Sequence, residues 1–229
     1  MRIALVSAVL LILLSGIGIA EDQYGKWSLS KAVEILNSSP WARHETFTRV
    51  LGGIGSGISG EKDIYCTFYI RFLSARPIRE AFTRIQQIRG GYDSWNPEAK
   101  RKFDHAVQPA LRMDFRHWIV VAVSFRSNDP NQETSVRRFF QSQTTDTLKN
   151  RAFLSTDAFP QVELAAYFPP RDESVGAKFV FPREIESVPL VSKESAEITF
   201  ELLDIPGAEP RLRAMFGVQA MVAGDELLF

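Results

Sequence analysis

Residues 63–73 read DIYCTFYIRFL, and apolar side chains occupy every second position of this stretch. Successive side chains of a β-strand point to opposite faces of a sheet, so this period of two predicts a strand with one face in the core. The β-prone residues 45–51 precede it across the glycine-rich stretch 52–60, and the two segments together predict a hairpin. The predicted core face comprises Ile64, Cys66, Phe68, Ile70 and Phe72.

Helical patterns lie on both sides of this hairpin. Ser28 is a typical N-cap for a short helix over residues 29–36. After the hairpin, Pro77 suits the first position of a second helix, which Gly90 and Gly91 close. The apolar stripe predicted to face the core from this second helix comprises Ile78, Ala81, Phe82, Ile85 and Ile88.

Two more helices are predicted further along the chain. Asn96, Pro97 and Glu98 provide a cap, a first-turn proline and a favourable acid for the first of them. Pro109 should kink or end this helix. Its predicted inward residues are Ala99, Phe103, Ala106 and Val107. Residues 132–144 have the apolar spacing of the other helix.

The rest of the chain has the texture of β-strands. The run Trp118–Phe125, WIVVAVSF, is rich in β-branched residues and predicts a central strand buried on both faces. Five further strand-like runs are separated by Pro, Gly and Asp, at 147–155, 161–166, 177–181, 195–203 and 211–217.

This order of segments predicts an α+β fold. We expect a mixed, mainly antiparallel sheet with about three helices packed on it, and a β-rich C-terminal half. The sequence contains no internal repeat and no long linker, so residues 21–229 are predicted to form a single globular domain.

The beginning of the chain predicts export. Arg2 precedes a mostly apolar run over residues 3–14, and the segment ends in the small residues Gly18 and Ala20. This pattern is typical of a secretory signal peptide, Met1–Ala20, and indicates a periplasmic or extracellular protein with no integral membrane span after cleavage. An uncleaved membrane anchor is the alternative, because the apolar segment is nearly long enough to cross a bilayer.

Charge and cysteine content narrow the classes of partner. The chain has 27 basic and 27 acidic residues, and removing Met1–Ala20, with one arginine and no acid, leaves a formal net charge of −1. Nucleic-acid-binding proteins usually carry a basic excess, so we predict no nucleic acid as a partner. Cys66 is the single cysteine, which excludes an intramolecular disulfide, and its place in the alternating strand predicts a buried structural thiol.

Motifs with catalytic or cofactor-binding counterparts lack their usual context. Gly55–Gly60 match a dinucleotide-binding fingerprint by letter, but a strand follows where a helix is needed. Ser28 and Lys31 match the Ser-x-x-Lys of penicillin-recognising enzymes, whose other motifs are missing, and capping explains them. No two histidines are three or four residues apart, as a metal site on one helix face requires. They are His44, His105 and His117. We therefore predict no catalytic residue, no cofactor and no metal site.

The four tryptophans permit two interpretations. They are Trp27, Trp41, Trp95 and Trp118. Trp41 follows a helix stop and Trp118 begins a buried strand, which favours the anchoring of loops on the core. The alternative is a carbohydrate- or peptide-binding surface.

Several short segments resemble those of a group of uncharacterised exported bacterial proteins. They are Lys26–Trp27, Ser39–Arg43, Arg71–Ala75 followed by Pro77–Arg79, Val120–Val123, Phe168–Pro170 and Phe179–Pro182. Together they are scattered over most of the chain after Ala20. The group has no assigned activity, so the resemblance implies no ligand, reaction or site residue.

Export without a catalytic motif favours a non-enzymatic binding or interaction module of the cell envelope or secreted space. Its partner would be an unidentified protein or polymer of the envelope, recognised through a sheet edge or the glycine-rich stretch. Two alternatives remain. One is a small-molecule carrier with an apolar pocket between helices and sheet. The other is a hydrolase whose residues converge only in the fold, for instance His44 or His117 with a carboxylate and a serine.

We predict cleavage after Ala20, because Gly18 and Ala20 fit the pocket of a signal peptidase. Mass spectrometry of the protein isolated from its native cells should find a chain that begins at Glu21. Recovery of a chain that retains Met1–Ala20 would identify the segment as an anchor instead.

Overall fold

The computed structural model of the protein describes residues 24–51, 62–208, 210–223 and 226–229. The predicted signal peptide and the glycine-rich stretch 52–60 lie outside the described residues. Within the described ranges, helices and antiparallel sheets are mixed and strands dominate the C-terminal half, which confirms the predicted α+β class.

The helices and strands follow one another along the described chain in the order of their numbers. The α-helices are α1 (Leu29–Ser38), α2 (Arg76–Gly90), α3 (Pro97–Leu111), α4 (Pro130–Ser142) and α5 (Thr145–Leu148). The longer strands are β1 (Ala42–Leu51), β2 (Lys62–Phe72), β3 (Trp118–Ser127), β4 (Ala152–Thr156), β7 (Ala177–Pro182), β10 (Glu197–Leu203) and β11 (Arg211–Gly217). The short strands are β5 (Val162–Glu163), β6 (Ala166–Phe168), β8 (Glu184–Ile185), β9 (Val188–Pro189), β12 (Val222–Ala223) and β13 (Glu226–Leu227).

Two antiparallel sheets enclose the main core. The five-stranded sheet has the order β1-β2-β3-β7-β6, and the four-stranded sheet has the order β11-β10-β4-β5. The sheets pack face to face. The ring centroid of Phe72 lies 4.7 Å from that of Phe216, and the ring centroid of Phe179 lies 5.3 Å from that of Phe200. We call this face of the five-stranded sheet its inner face and the opposite one its outer face.

The hairpin predicted from residues 63–73 is confirmed. β1 and β2 pair in antiparallel fashion, from Ala42 opposite Arg71 to Leu51 opposite Lys62. Every residue of the predicted core face is buried, and Cys66 is only 2% exposed. β1 starts before the predicted residue 45, because its pairing with β2 continues to Ala42.

β3 occupies the centre of its sheet, as predicted. It pairs with β2 on one side and β7 on the other, and residues 119–124 are all buried. α4 packs on its inner face, where the Phe140 ring stacks on Phe125 at 5.7 Å.

α2 has nearly the predicted ends but a different buried face. Pro77 is its second residue, and Gly91 closes it in the left-handed conformation with φ 72°. Of the predicted apolar stripe only Ile78 and Ala81 are buried. The other buried residues of the helix are Pro77 near its start and the polar residues Glu80, Thr83, Arg84 and Gln87.

Satisfied hydrogen bonds explain this rotation of α2. Arg84 Nε donates to the Trp27 carbonyl oxygen at 2.8 Å, and Arg84 Nη1 donates to Gln87 Oε1 at 3.2 Å. A buried polar group with its partners in place costs little, so the N-terminal segment can cover this face of the helix.

α3 is peripheral, which the sequence did not predict. Asn96 caps it through a 2.8 Å bond from Ala99 N, as expected, but no residue of the helix is buried and the predicted inward set is wrong. Pro109 does not end α3, which continues to Leu111. It lies in the last turn, where its missing N–H removes one backbone hydrogen bond.

The predicted strand 147–155 is wrong at its start. Thr144 and Thr147 form a capping box that begins the single-turn helix α5, and β4 starts only at Ala152. The run 161–166 is divided between β5 and β6. β7, β10 and β11 confirm the three later runs.

Gly176 permits a close approach between the loop before β7 and the central strand. Its φ is +90°, and a Cβ at this position would overlap the carbonyl oxygen of Val123 in β3. Only glycine combines this conformation with this contact.

We predict that Gly176→Ala lowers the free energy of unfolding by about 2–4 kcal/mol, because φ strain and a backbone clash add. Gly217→Ala is the matched control, since a Cβ there meets nothing within 4 Å. Urea denaturation followed by circular dichroism measures both. Equal stability of the two variants would contradict the close approach.

Candidate functional site

A groove of about 760 Å³ lies on the outer face of the five-stranded sheet. β2 and β3 form its floor and α1 and α2 form one wall. Glu133 near the start of α4, together with Glu173 and Ser174 in the loop before β7, bounds the opposite side. A groove of this size is typical of small-ligand sites. The polar floor residues are Tyr69, Arg71, Ser124, Arg126 and Ser127.

Arg71 lies at the base of the groove and is only 6% exposed. Its neighbours across the strands are Ala42 in β1 and Ala122 in β3, both fully buried. These small residues leave room for the long side chain to lie over the sheet. The guanidinium carbon is 5.0 Å from the ring centroid of Tyr69 and 5.7 Å from that of Phe82.

Neutral oxygen atoms hold the Arg71 guanidinium in place. Nε donates to the Leu36 carbonyl oxygen at 2.6 Å, and Nη2 donates to Asn37 Oδ1 at 3.1 Å. Nη1 donates to Ser124 Oγ at 2.8 Å and to the Ser174 carbonyl oxygen at 3.5 Å. Within the described ranges no carboxylate forms an ion pair with Arg71.

The charge of Arg71 is therefore only partly compensated. Leu36 belongs to the last turn of α1, where free carbonyl groups carry about half a negative charge. This partial charge favours a buried cation but does not neutralise its full positive charge. Burial lowers the pKa of Arg71 to about 10, so the guanidinium stays protonated at neutral pH.

Arg71 also turns its neighbours into hydrogen-bond donors. Ser124 Oγ and Asn37 Oδ1 both accept from it, so the Ser124 hydroxyl hydrogen and the Asn37 amide hydrogens are left to donate. Neither of these donor groups has a protein acceptor in the described part of the chain. Both residues line the groove, which therefore presents a cation and oriented neutral donors to a ligand.

The rim of the groove adds to its positive charge. Arg89 and Arg126 are exposed, and neither forms an ion pair with a described carboxylate. The two acids of the opposite wall, Glu133 and Glu173, are both paired with Arg137. The lining itself holds three arginines, Arg71, Arg89 and Arg126, and these two carboxylates, which gives it one net positive charge.

A second cleft, of about 580 Å³, lies between the start of α2 and the C-terminal residues. Several of its charged groups are bonded within the protein. Arg76 pairs with Glu80 at 2.7 Å, and Arg183 donates to the carbonyl oxygens of Phe115 and Phe229 at 3.0 and 2.7 Å. No arginine of this cleft is as deeply buried as Arg71, so we take the first groove as the candidate site.

The residues considered from sequence are not brought together in this groove. Ser28 Oγ accepts from Lys31 N at 3.1 Å, which confirms the capping role. His44 Nδ1 bonds to the Asn37 carbonyl oxygen at 3.1 Å. In the described chain no histidine side chain is hydrogen-bonded to Ser, Asp or Glu, so the set imagined for a hydrolase is not assembled there.

Trp41 and Trp118 differ in whether they are buried in the core, as loop anchoring predicts. Trp41 is 7% exposed and packs in the core, as predicted. Trp118 is 45% exposed, which corrects the expectation that it anchors a loop, because it lies opposite Pro182 at the end of the sheet.

Neither a metal-binding cluster nor a membrane-spanning helix is present among the residues that the structure describes. No group of three His, Cys, Asp or Glu side chains is arranged to hold a metal ion. No described helix combines the length and the apolar character needed to cross a bilayer.

Comparison with known proteins adds no relative. No family model, no curated protein and no solved structure matches this chain. The resemblance to uncharacterised exported proteins therefore stays a prediction, and the functional argument depends on the groove.

Arg71 was not among the residues predicted to be functional. It alternates with apolar residues in β2 and suggests an ordinary exposed position. The available signal was the small size of two residues in the otherwise bulky β3, Ala122 and Ser124, which lie beside the guanidinium. The pairing register that places them there is not visible in the sequence.

Cys66 is expected to be unreactive, because burial raises the pKa of its thiol to about 12. A rise from 9.0 to about 12 reduces the reactive thiolate about a thousandfold. Ellman's reagent should therefore label the folded protein at least about a thousandfold more slowly than the protein in urea. Fast labelling of the folded protein would contradict a shielded, structural thiol.

Proposed function

We propose that this protein is an exported, non-enzymatic binding module of the cell envelope or secreted space, and that its groove receives an anionic group of the ligand. The observation that carries the proposal is the buried Arg71, held by four neutral oxygen atoms with no carboxylate partner in the described chain. Buried arginines are normally paired, because an isolated buried charge is costly. A ligand carboxylate or phosphate would supply the counter-charge.

The surroundings of Arg71 support an anion in preference to a neutral group. Ser124 and Asn37 present donors at the floor, and Arg126 adds an exposed cation on the same face of β3. Charge-assisted hydrogen bonds to an anion are about twice as strong as those between neutral groups. The groove therefore favours a carboxylate or phosphate over an amide or hydroxyl.

Two alternatives receive less support. A closed apolar pocket would favour a carrier that encloses its ligand, whereas this groove has exposed arginines at its rim. A hydrolase would need a base beside a nucleophile, and His44 is bonded to the main-chain carbonyl group of Asn37.

Titration with small anions, followed by nuclear magnetic resonance, tests the proposal. Acetate and inorganic phosphate are added separately to the purified 15N-labelled protein, with sodium chloride holding the ionic strength constant. We expect saturable shifts of the Arg71 Nε–H and Ser124 amide signals with a Kd on the order of millimolar for one of them. The two titrations distinguish a carboxylate ligand from a phosphate ligand.

Charge variants provide the control. Arg126→Gln removes a groove cation without disturbing Arg71, and we expect the affinity to fall roughly five- to tenfold. Arg101→Gln makes the same change on α3, outside the groove, and should leave the affinity unchanged. An absence of saturable shifts with both anions, or equal effects of the two substitutions, would show that the proposal is wrong.

A further inference from the structure

The wall of the groove beside Arg71 is apolar and partly exposed. Phe82 and Ile85 of α2 are only partly buried, whereas many other Phe and Ile side chains of the protein are buried in the core. On α1, Val33 is 36% exposed and lies one turn after Leu29, which is 42% exposed. Val33, Phe82 and Ile85 all line the groove. Contiguous exposed apolar surface beside a charged site indicates a contact surface for a ligand.

The apolar wall begins next to the cation. The Phe82 ring centroid lies 5.7 Å from the Arg71 guanidinium carbon, and Ile85 is its neighbour one turn along α2. The polar donors of Ser124 and Arg126 lie on the floor, in β3, whereas Phe82 and Ile85 belong to the α2 wall. The groove therefore has a polar, positively charged part and an apolar part within one space of about 760 Å³.

We propose that the ligand is a small amphipathic anion, a carboxylate with an unbranched hydrocarbon chain. Its head would lie at Arg71, Ser124 and Arg126, and its chain would lie along Val33, Phe82 and Ile85. This inference rests on the proposed anion-binding function and adds the chemical class of the ligand. Charge complementarity supplies the argument for the head, and the exposed apolar wall supplies the argument for the chain.

A chain-length series tests this class. Acetate, butanoate, hexanoate, octanoate and decanoate are titrated into the 15N-labelled protein below their critical micelle concentrations. We expect the affinity to rise about two- to fourfold for each added methylene, since each leaves water, and then to level off when the wall is covered. The methyl ester of decanoic acid, which lacks the negative head, should bind at least tenfold more weakly than decanoate.

Two substitutions on α2 test whether the wall binds the hydrocarbon chain independently of the floor. Ile85→Gln should reduce the gain per methylene while leaving acetate binding unchanged. Ile88→Gln is the matched control, because Ile88 is a partly buried residue of α2 that does not line the groove. Arg126→Gln should weaken every member of the series by the same factor.

The outcomes distinguish this inference from the function on which it rests. If acetate binds in the groove and decanoate binds no more tightly, the amphipathic class is wrong and the anion site stands. If neither acetate nor decanoate binds but inorganic phosphate does, the carboxylate class is wrong and the anion site stands. If phosphate does not bind either, both proposals fail. If decanoate binds equally well to the Ile85→Gln and wild-type proteins, its chain lies elsewhere and the inference is overturned. Tighter binding of an acidic peptide, acetyl-Glu-Phe-Glu-amide, would overturn it in favour of a protein ligand.

Discussion

Side chains along β2 alternate between the core and the floor of the groove, and one strand register fixes both sets. Phe68, Ile70 and Phe72 fill the core between the sheets, whereas Tyr69 and Arg71 form the floor of the groove. A slip of one residue would exchange the two sets and place a guanidinium among phenyl rings without hydrogen-bond partners. The hydrophobic pattern that forms the core therefore also determines which face carries the groove.

Two buried arginines of this protein show why the groove is unusual. Arg84 is 8% exposed and has Asp93 at 3.7 Å, so a carboxylate balances at least part of its charge. Arg71 is as deeply buried, yet its compensation comes from carbonyl groups at the end of α1 and from a neutral amide and hydroxyl. Its alanine neighbours provide space and no charge. A guanidinium without a carboxylate partner in the described chain thus lines the groove.

The side-chain arrangement of α2 is less stable than it could be, which is consistent with a binding role. It buries Thr83 and Gln87 while it leaves Phe82 and Ile85 partly exposed at the groove. An optimally stable helix would reverse these positions, since burial of each apolar side chain is worth about 1.5–3 kcal/mol. Departures of this kind from local rules are concentrated at functional sites in proteins. The same helix thus supports the core at Ile78 and the candidate site one turn further on.

Local pattern by itself determined the α+β class, the β1–β2 hairpin, the central position of β3 and the buried state of Cys66, because period-two alternation and apolar runs depend on residues close in sequence. The rotation of α2, the peripheral place of α3 and the burial of Arg71 were decided only by tertiary structure. The rotation of α2 and the burial of Arg71 depend on partners distant along the chain: Trp27 for Arg84 in α2, and Leu36 and Ser124 for Arg71. Hydrogen bonds over such separations make polar residues compatible with burial, and a sequence pattern contains no record of them.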